Sequence, residues 1–500
     1  MRVLVDLSFA AFGYCGIAQD VRLMYKALAS SPDVDVTGLI CLPQRLRPLH
    51  KFLPTTAHPG DRLTNQACFL WELDGPHDPL SPLGPLRKLG QLRQLASTLL
   101  RSRVQCDPLE VDTFWDVVWR QLFSQTLSAE DLPLIKDSKF LLCDMTRGMI
   151  QSRVLLHRRP LKLDTRGYDF VIVSGSRPLR LSAGTRQIVR HYDLIPVLRP
   201  DAMRNPWYIR WYHKAIRQSA RGAYFVCDSE PCREDLAGAY PELADKCATI
   251  PCMLTDVYRP EPSLNQIRSI IEQRRSSATG AVPAKRPEQT PRYIMCVSTL
   301  EPRKNYVGLI QAFNLLRGRA IAGSGLDDLK LLIVGSPGWK YEPILAAMRP
   351  LVERGDLLHL ERVPAEELRV LYTHASAFVF PSNYEGFGLP PLEAMQCGAP
   401  VIASDIETHR WVLGDAAMYF NPYDMTALAA QIERLVASRE SASLREKLIA
   451  KGRERVKLYH ANQCGPQWVE LLERLREERE PSTAPSTLGI NRPAALGKVA

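Results

Sequence analysis

The sequence predicts an α/β protein: two domains of parallel sheet, each doubly wound by helices, facing one another across a cleft. Three observations carry this. Short apolar runs bounded by turn residues alternate with stretches of helical period along most of the chain. A polar, proline-rich break from Arg259 to Pro291 divides that alternation into two series. The 500 residues are 45% hydrophobic and 24% charged, which suits two larger domains or three smaller ones. That composition excludes a disordered chain, a collagen-like repeat and a disulfide mini-protein.

In the first series Arg2–Asp6 reads as a buried strand, Ser8–Gly16 as a glycine-containing loop and Ile17–Ala29 as a helix. Val34–Ile40 returns as a strand. Residues 43–110 are rich in Pro, Leu and Arg with little period, and an insertion of irregular and helical pieces is expected over about 43–165. Within and after it Val111–Leu127 looks helical, and Phe140–Asp144, Phe170–Ser174, Gln187–His191 and Tyr224–Asp228 look like strands, the last closing the series. The N-terminal domain is thus set at 1–260 and an interdomain linker at 261–291. Strands follow near 293–298, 329–334, 357–360, 377–380, 400–404 and 417–420, giving a C-terminal domain over 292–465. An amphipathic helix is expected at 466–480, and the low-complexity stretch 481–500 reads as a disordered tail.

Lys plus Arg number 64 against 54 Asp plus Glu, a formal charge of +10. Between Met145 and Gly222 sixteen basic and four acidic residues leave +12, so the rest of the chain sums to −2. The basic excess belongs to the first domain and suits a phosphorylated lipid carrier or an anionic membrane face, with no nucleic-acid motif beside it. The twelve cysteines form no Cys-x-x-Cys pair and no zinc spacing, and read as reduced thiols. The opening apolar run is broken by Asp6, which argues against a secretory signal, and no stretch reaches membrane-span length. A cytoplasmic protein is expected, with a peripheral place on the inner face of the plasma membrane as its membrane option. The helix Trp207–Arg217 mixes aromatic and basic residues, suiting either that interface or packing on the sheet.

Chemistry concentrates in two loops. Pro381-Ser-Asn-Tyr-Glu-Gly-Phe-Gly-Leu-Pro-Pro-Leu-Glu leads from a strand into a helix whose first turn Pro390 and Pro391 suit. Its glycines let backbone approach a ligand, and the helix start offers N–H groups to phosphate. Glu385 and Glu393, with seven residues between them, can each accept hydrogen bonds from sugar hydroxyls; Glu393 is placed in the first helical turn. The second loop, Ser298-Thr-Leu-Glu-Pro-Arg-Lys-Asn, ends a strand with Arg303 and Lys304 side by side, a natural pair for a diphosphate. Asp33-Val-Asp35 has a metal-binding form but a turn-like context, and no metal is assigned to it.

Glu301-Pro-Arg-Lys-Asn, Val334-Gly-Ser-Pro-Gly-Trp, Glu385-Gly-Phe-Gly-Leu-Pro-x-Leu-Glu-Ala-Met, Gly398-Ala-Pro-Val-Ile and Gly414-Asp-Ala-Ala-x-Tyr-Phe-Asn-Pro together resemble the retaining GT-B glycosyltransferases of family GT4, mannosyltransferases among them. The likeness is dense over about 293–440 and looser before it. It implies a GT-B fold of two Rossmann-like domains and a hexosyltransferase that needs no metal and no cofactor. It also implies roles: Arg303 and Lys304 for the donor diphosphate, Glu393 for the ribose, and Glu385 with Gly386, Phe387, Gly388 and Leu389 for the donor sugar and phosphate. The donor it favours is GDP-mannose, with a UDP-sugar as alternative. The acceptor it implies is an oligosaccharide or polyprenyl-linked saccharide in surface polysaccharide biosynthesis.

Gly13-Tyr-Cys-Gly16 resembles the family's loop facing the donor phosphates, so Gly13 and Gly16 join the donor set. His191 is taken as catalytic beside Glu385, although Tyr192 stands directly before Asp193 where the family commonly has histidine. Strand alternation would turn His191 and Asp193 to one side and Tyr192 to the other. A sugar-nucleotide epimerase or hydrolase on the same fold, or a silent nucleotide-sugar-binding partner, are the other readings.

Overall fold

The computed structural model describes residues 1–11, 13, 15–42, 63–67, 70, 102–156, 158–203, 205–280, 290–320, 326–437 and 441–478. Much of the expected insertion (43–62 and 71–101), part of the linker (281–289) and the 481–500 tail lie outside them.

Ten short strands belong to the first half: β1 (Arg2–Asp6), β2 (Asp35–Leu42), β3 (Cys106–Pro108), β4 (Lys139–Thr146), β5 (Leu161–Lys162), β6 (Phe170–Ser174), β7 (Leu179–Arg180), β8 (Arg186–His191), β9 (Ala223–Cys227) and β10 (Cys247–Thr249). Eight make one sheet in the order β10-β9-β8-β6-β1-β2-β4-β3, and β5 pairs with β7 apart from it. All neighbours are parallel except β3 against β4. The apolar runs are buried on both faces, as a parallel sheet under two helix layers requires: β6 is buried at every residue.

Three expectations shift here. The series closes on β10 rather than on the strand ending near Asp228, because Cys247–Thr249 adds a short edge to β9. The helix Val111–Leu127 is α-helical only to Val118, then widens into a π turn over Trp119–Phe123. And β4 lies within the 43–165 interval yet pairs with β2 over Thr37–Leu42, so that part is integral to the sheet.

The second half carries β11 (Tyr293–Val297), β12 (Lys330–Val334), β13 (Leu357–Leu360), β14 (Ala377–Phe380), β15 (Val401–Ser404) and β16 (Ala417–Phe420). Their order, β13-β12-β11-β14-β15-β16, is the doubly wound arrangement whose direction reverses between its first and fourth strands. Ligands bind such sheets beyond the strand ends at that reversal, here the loops after β11 and β14.

The linker contains the helix Gln266–Arg274, whose Ile267, Ile270 and Ile271 are buried in the core of the second sheet. The last helix, Ala461–Glu477, starts earlier than the expected 466–480. Its buried Cys464, Trp468, Leu471, Leu472 and Leu475 form one helical stripe that joins the core of the first sheet. This helix therefore crosses back to the first domain. Among the described residues no helix is long and apolar enough to cross a membrane. Asp35 of the Asp-x-Asp motif lies in surface ion pairs with Lys139 at 3.4 Å and Arg2 at 3.6 Å.

Candidate active site

The loop after β11 folds as a short 3-10 turn, Pro302–Lys304, and Asn305 takes a left-handed backbone (φ 55°) before the helix Tyr306–Arg319. The loop after β14 runs to Gly388, whose φ of 90° breaks the chain into the helix Leu389–Gln396. Reversal of the sheet sets these loops side by side, which brings Glu385 to Arg303 and Lys304 across more than 80 residues of sequence. One Glu385 oxygen accepts from Arg303 Nη1 at 2.6 Å and the other from Lys304 Nζ at 2.5 Å. Arg303 also pairs with Glu301 at 2.6 Å.

Glu301, Lys304 and Glu385 are buried and Arg303 is largely so, and their ionisation follows from the pairing. Burial alone would raise the Glu385 carboxyl, but Arg303 and Lys304 outweigh it and hold it at about 2. Burial would likewise lower Arg303, and the carboxylates of Glu385 and Glu301 hold it raised instead. Burial and the neighbouring Arg303 draw the Lys304 ammonium below the usual lysine range. Burial pushes Glu301 up, and its Oε2 has no partner. The site is a two-cation cradle around a carboxylate, able to meet an anion in water-poor surroundings.

Glu393 behaves oppositely. It is the fifth residue of its helix, in the second turn and not the first, because Leu389, Pro390 and Pro391 occupy the opening turn. Tyr372 donates to its Oε2 at 3.1 Å, no cation among the described residues pairs with it, and burial pushes its carboxyl up to about 7. Of the remaining glycine-loop residues, Phe387 and Leu389 are buried in the core of the second sheet.

The two halves meet directly at this point. A Cβ built on Gly386 would lie 1.7 Å from the Tyr192 carbonyl oxygen, so glycine is obligatory for the contact. Ser229 donates to the Gly386 carbonyl at 2.5 Å, Tyr384 to Asp235 at 2.5 Å and Trp339 to the Ala202 carbonyl at 2.5 Å. Gly16 packs against Leu389, 3.1 Å from where its Cβ would stand. Gly13 takes a left-handed φ of 67°, and its carbonyl accepts from Arg22 at 3.2 Å.

The strand-alternation expectation fails after His191. β8 ends there, Tyr192 and Asp193 belong to the following loop, and all three line one cavity. Burial and the adjacent Arg190 lower His191 to about 4, so its imidazole is neutral at physiological pH, and its Nε2 has no partner. Arg190 itself forks onto Asp20 (2.8 and 3.1 Å), with both side chains at most 1% exposed. Asp193, absent from the sequence-derived set, is held raised by burial against the pull of Arg303, and feels Glu385 and Lys304 as well. Its position two residues after His191 was the only signal. In the helix Pro206–Ser219, Trp211 is buried against the sheet while Trp207 stays 66% exposed.

Residues 281–455 match the family described as glycosyl transferases group 1. O-antigen chain mannosyltransferase B of Escherichia coli is 28% identical over 325 residues, 64% of this chain and 79% of that protein. The serotype-specific mannosyltransferase WbdA of Escherichia coli is 34% identical over 148 residues, 28% of this chain and 17% of its own length. Among solved structures, sucrose-phosphate synthase from Thermosynechococcus elongatus superposes with a TM-score of 0.58 at 17% identity, covering 96% of this chain and all 100% of its own. The Anabaena protein HepE, in complex with UDP and glucose, gives 0.51 at 14% identity over 95% of this chain and 100% of its own. At that identity the likeness is one of fold, and the fold is GT-B.

Proposed function

We propose that this chain is a group 1 glycosyltransferase, the family that residues 281–455 match, and that it moves mannose, with retention and without a metal ion, from GDP-mannose to a saccharide or lipid-linked saccharide acceptor in surface polysaccharide synthesis. The observation that carries this is the Glu385 carboxylate set between Arg303 and Lys304 at the sheet reversal. A donor diphosphate entering the loop would share those two cations. As the bond from the anomeric carbon to the diphosphate breaks, the growing negative charge falls on oxygens facing Arg303 and Lys304, the role a divalent ion fills elsewhere. The acceptor hydroxyl attacks the same face, and its proton passes to the departing phosphate oxygen. Both oxygens of Glu385 are committed to cations, which makes it a poor nucleophile and favours direct same-face attack over a covalent intermediate. Glu393 is proposed for the ribose and Gly386–Leu389, with Gly13 and Gly16 opposite, for the phosphates. His191, neutral, is proposed for the sugar. Mannose rests on the mannosyltransferase relatives.

The test is incubation with GDP- and UDP-sugars and mannose-terminated acceptors, with and without EDTA, reading the anomeric product by NMR. An α-mannoside formed from GDP-mannose at undiminished rate in EDTA is expected. A β-product, or loss of transfer on chelation, would overturn the corresponding part. Epimerised or hydrolysed donor without acceptor would favour the other enzymatic reading.

A further inference from the structure

The cavity beside the cation cradle is built from the first sheet and the helices Arg147–Leu155 and Pro206–Ser219, and its mostly apolar and aromatic lining carries a few buried polar groups. Three of its lining residues bury a hydrogen-bonding atom that has no partner: Ser176 Oγ, His191 Nε2 and Trp211 Nε1. These residues are 5%, 1% and 8% exposed, and a buried polar atom left unmatched costs about 1–3 kcal/mol. They come from three separate elements, so no one local distortion accounts for them.

The cavity is also charged on one side. Arg147 opens its helix, next to the capping Thr146, whose Oγ1 accepts from Met149 N at 3.2 Å. Its guanidinium stands 5.9 Å over the Trp211 ring, and no carboxylate pairs with it among the described residues. The second arginine there, Arg177, is already neutralised by Asp6 and hydrogen-bonds Ser8 at 3.0 Å. The one acid of the lining, Asp193, has Arg303, Lys304 and Glu385 as its charged neighbours and so faces the donor side. Arg147 has Tyr208 and Arg177. A ligand in this cavity therefore meets Asp193 toward the cation cradle and, elsewhere in the lining, Arg147, a cation with no carboxylate partner among the described residues. Tyr208 and Trp211 supply aromatic faces between them.

We infer that this cavity is the acceptor site and that Arg147 recognises an anionic substituent, a phosphate or phosphodiester, on the acceptor saccharide. The inference rests on the glycosyltransferase reading above and adds the chemical class of the second substrate. It also gives the +12 of residues 145–222 a specific focus.

The test is calorimetric titration of the full chain with three probes: octyl α-mannoside, α-mannosyl octyl phosphate and mannose 1-phosphate. GDP-mannose is titrated separately. The phosphodiester is expected to bind about tenfold to a hundredfold tighter than the neutral glycoside, as a charge-assisted contact from a half-buried arginine implies. Arg147→Ala should bring the two within about twofold, and Arg147→Lys should keep part of the preference, since a point charge replaces the fork. Tight mannose 1-phosphate binding would identify a terminal phosphate as sufficient; binding of the diester alone would identify the lipid-linked form. Equal affinity of the neutral and phosphorylated probes, or a preference that survives Arg147→Ala, overturns the inference. If GDP-mannose fails to bind while the Arg147-dependent preference holds, the donor reading falls and the anion site stands. Thermal unfolding of each variant separates a lost contact from a lost fold.

Discussion

The strand ends of the two sheets face each other, and they treat charge in opposite ways. Around the loops of the second sheet Arg303 and Lys304 are matched to Glu385 and Glu301 within 2.6 Å. Around those of the first sheet, among the described residues, Arg147 has no carboxylate partner and Ser176, His191 and Trp211 hold unmatched polar atoms. A self-neutralised site folds without its ligand and yields to a diphosphate by exchanging one anion for another. An unmatched site gains only from a ligand of the right shape, because each open group carries a desolvation cost until filled. On the proposed reading, the donor side is built to stabilise charge and the acceptor side to discriminate.

The largest effects should come from breaking the matched side. Lys304→Ala or Glu385→Ala should each lower kcat/KM for transfer by about 10²–10³-fold, as loss of a preorganised charge contact does. Wild-type rates in either variant would reduce the cradle to a structural ion pair. Next, Arg190→Met leaves Asp20 buried with its cation gone. Urea denaturation should show a loss of about 3–5 kcal/mol, whereas an unchanged midpoint would mean that Asp20 finds another partner.

Gly386→Ala probes the junction of the two sides. Its Cβ cannot occupy a point 1.7 Å from the Tyr192 carbonyl, so the domains must part. Transfer should fall about 100-fold, with a larger radius of gyration by small-angle scattering. Retained rate with unchanged size would show that the contact forms in no productive state.

Glu393 sharpens the contrast on the donor side alone. Its carboxyl ionises near 4.5 when unfolded and near 7 when folded. A raised carboxyl binds its proton more tightly in the native state, so stability is lost as pH climbs from 4.5 to 7 and stays lost above. Glu393→Gln should therefore stabilise by up to about 2 kcal/mol at pH 8 and by almost nothing at pH 4. An equal change at both pH values would refute the assignment of burial as cause. The smallest effect belongs to His191, whose imidazole is neutral from pH 5.5 upward. The kcat/KM profile of His191→Gln should keep the wild-type shape between pH 5.5 and 8, at a lower level.

Much of the fold was readable because parallel strands buried on both faces are nearly continuous apolar runs. β1, β6, β13, β14 and β16 fall where the sequence put them. The failures share one cause, which is that pattern is local. β10, with three half-buried residues, has no run long enough to stand out. β4 was legible as the strand Phe140–Asp144, but setting it in the 43–165 insertion hid its pairing with β2, about a hundred residues upstream. Alternation was extended past His191 because nothing in the residues marks where β8 stops pairing.

What the sequence by itself determined is the content of two loops: the glycines and paired prolines of one, and the Arg303–Lys304 step of the other, are each a local run, and backbone conformation with local charge suffices to single them out. The tertiary structure alone decided how those groups ionise. Glu385 and Glu393 belong to one motif and one short stretch, yet one is held at about 2 and the other raised to about 7. The difference is a pair of cations delivered by a distant loop to the first and withheld from the second. The acceptor cavity was decided the same way, since Arg147, Ser176, His191 and Trp211 become neighbours only when separate strands and helices pack. Solvation and electrostatics depend on distance in space, and the sequence records distance only along the chain.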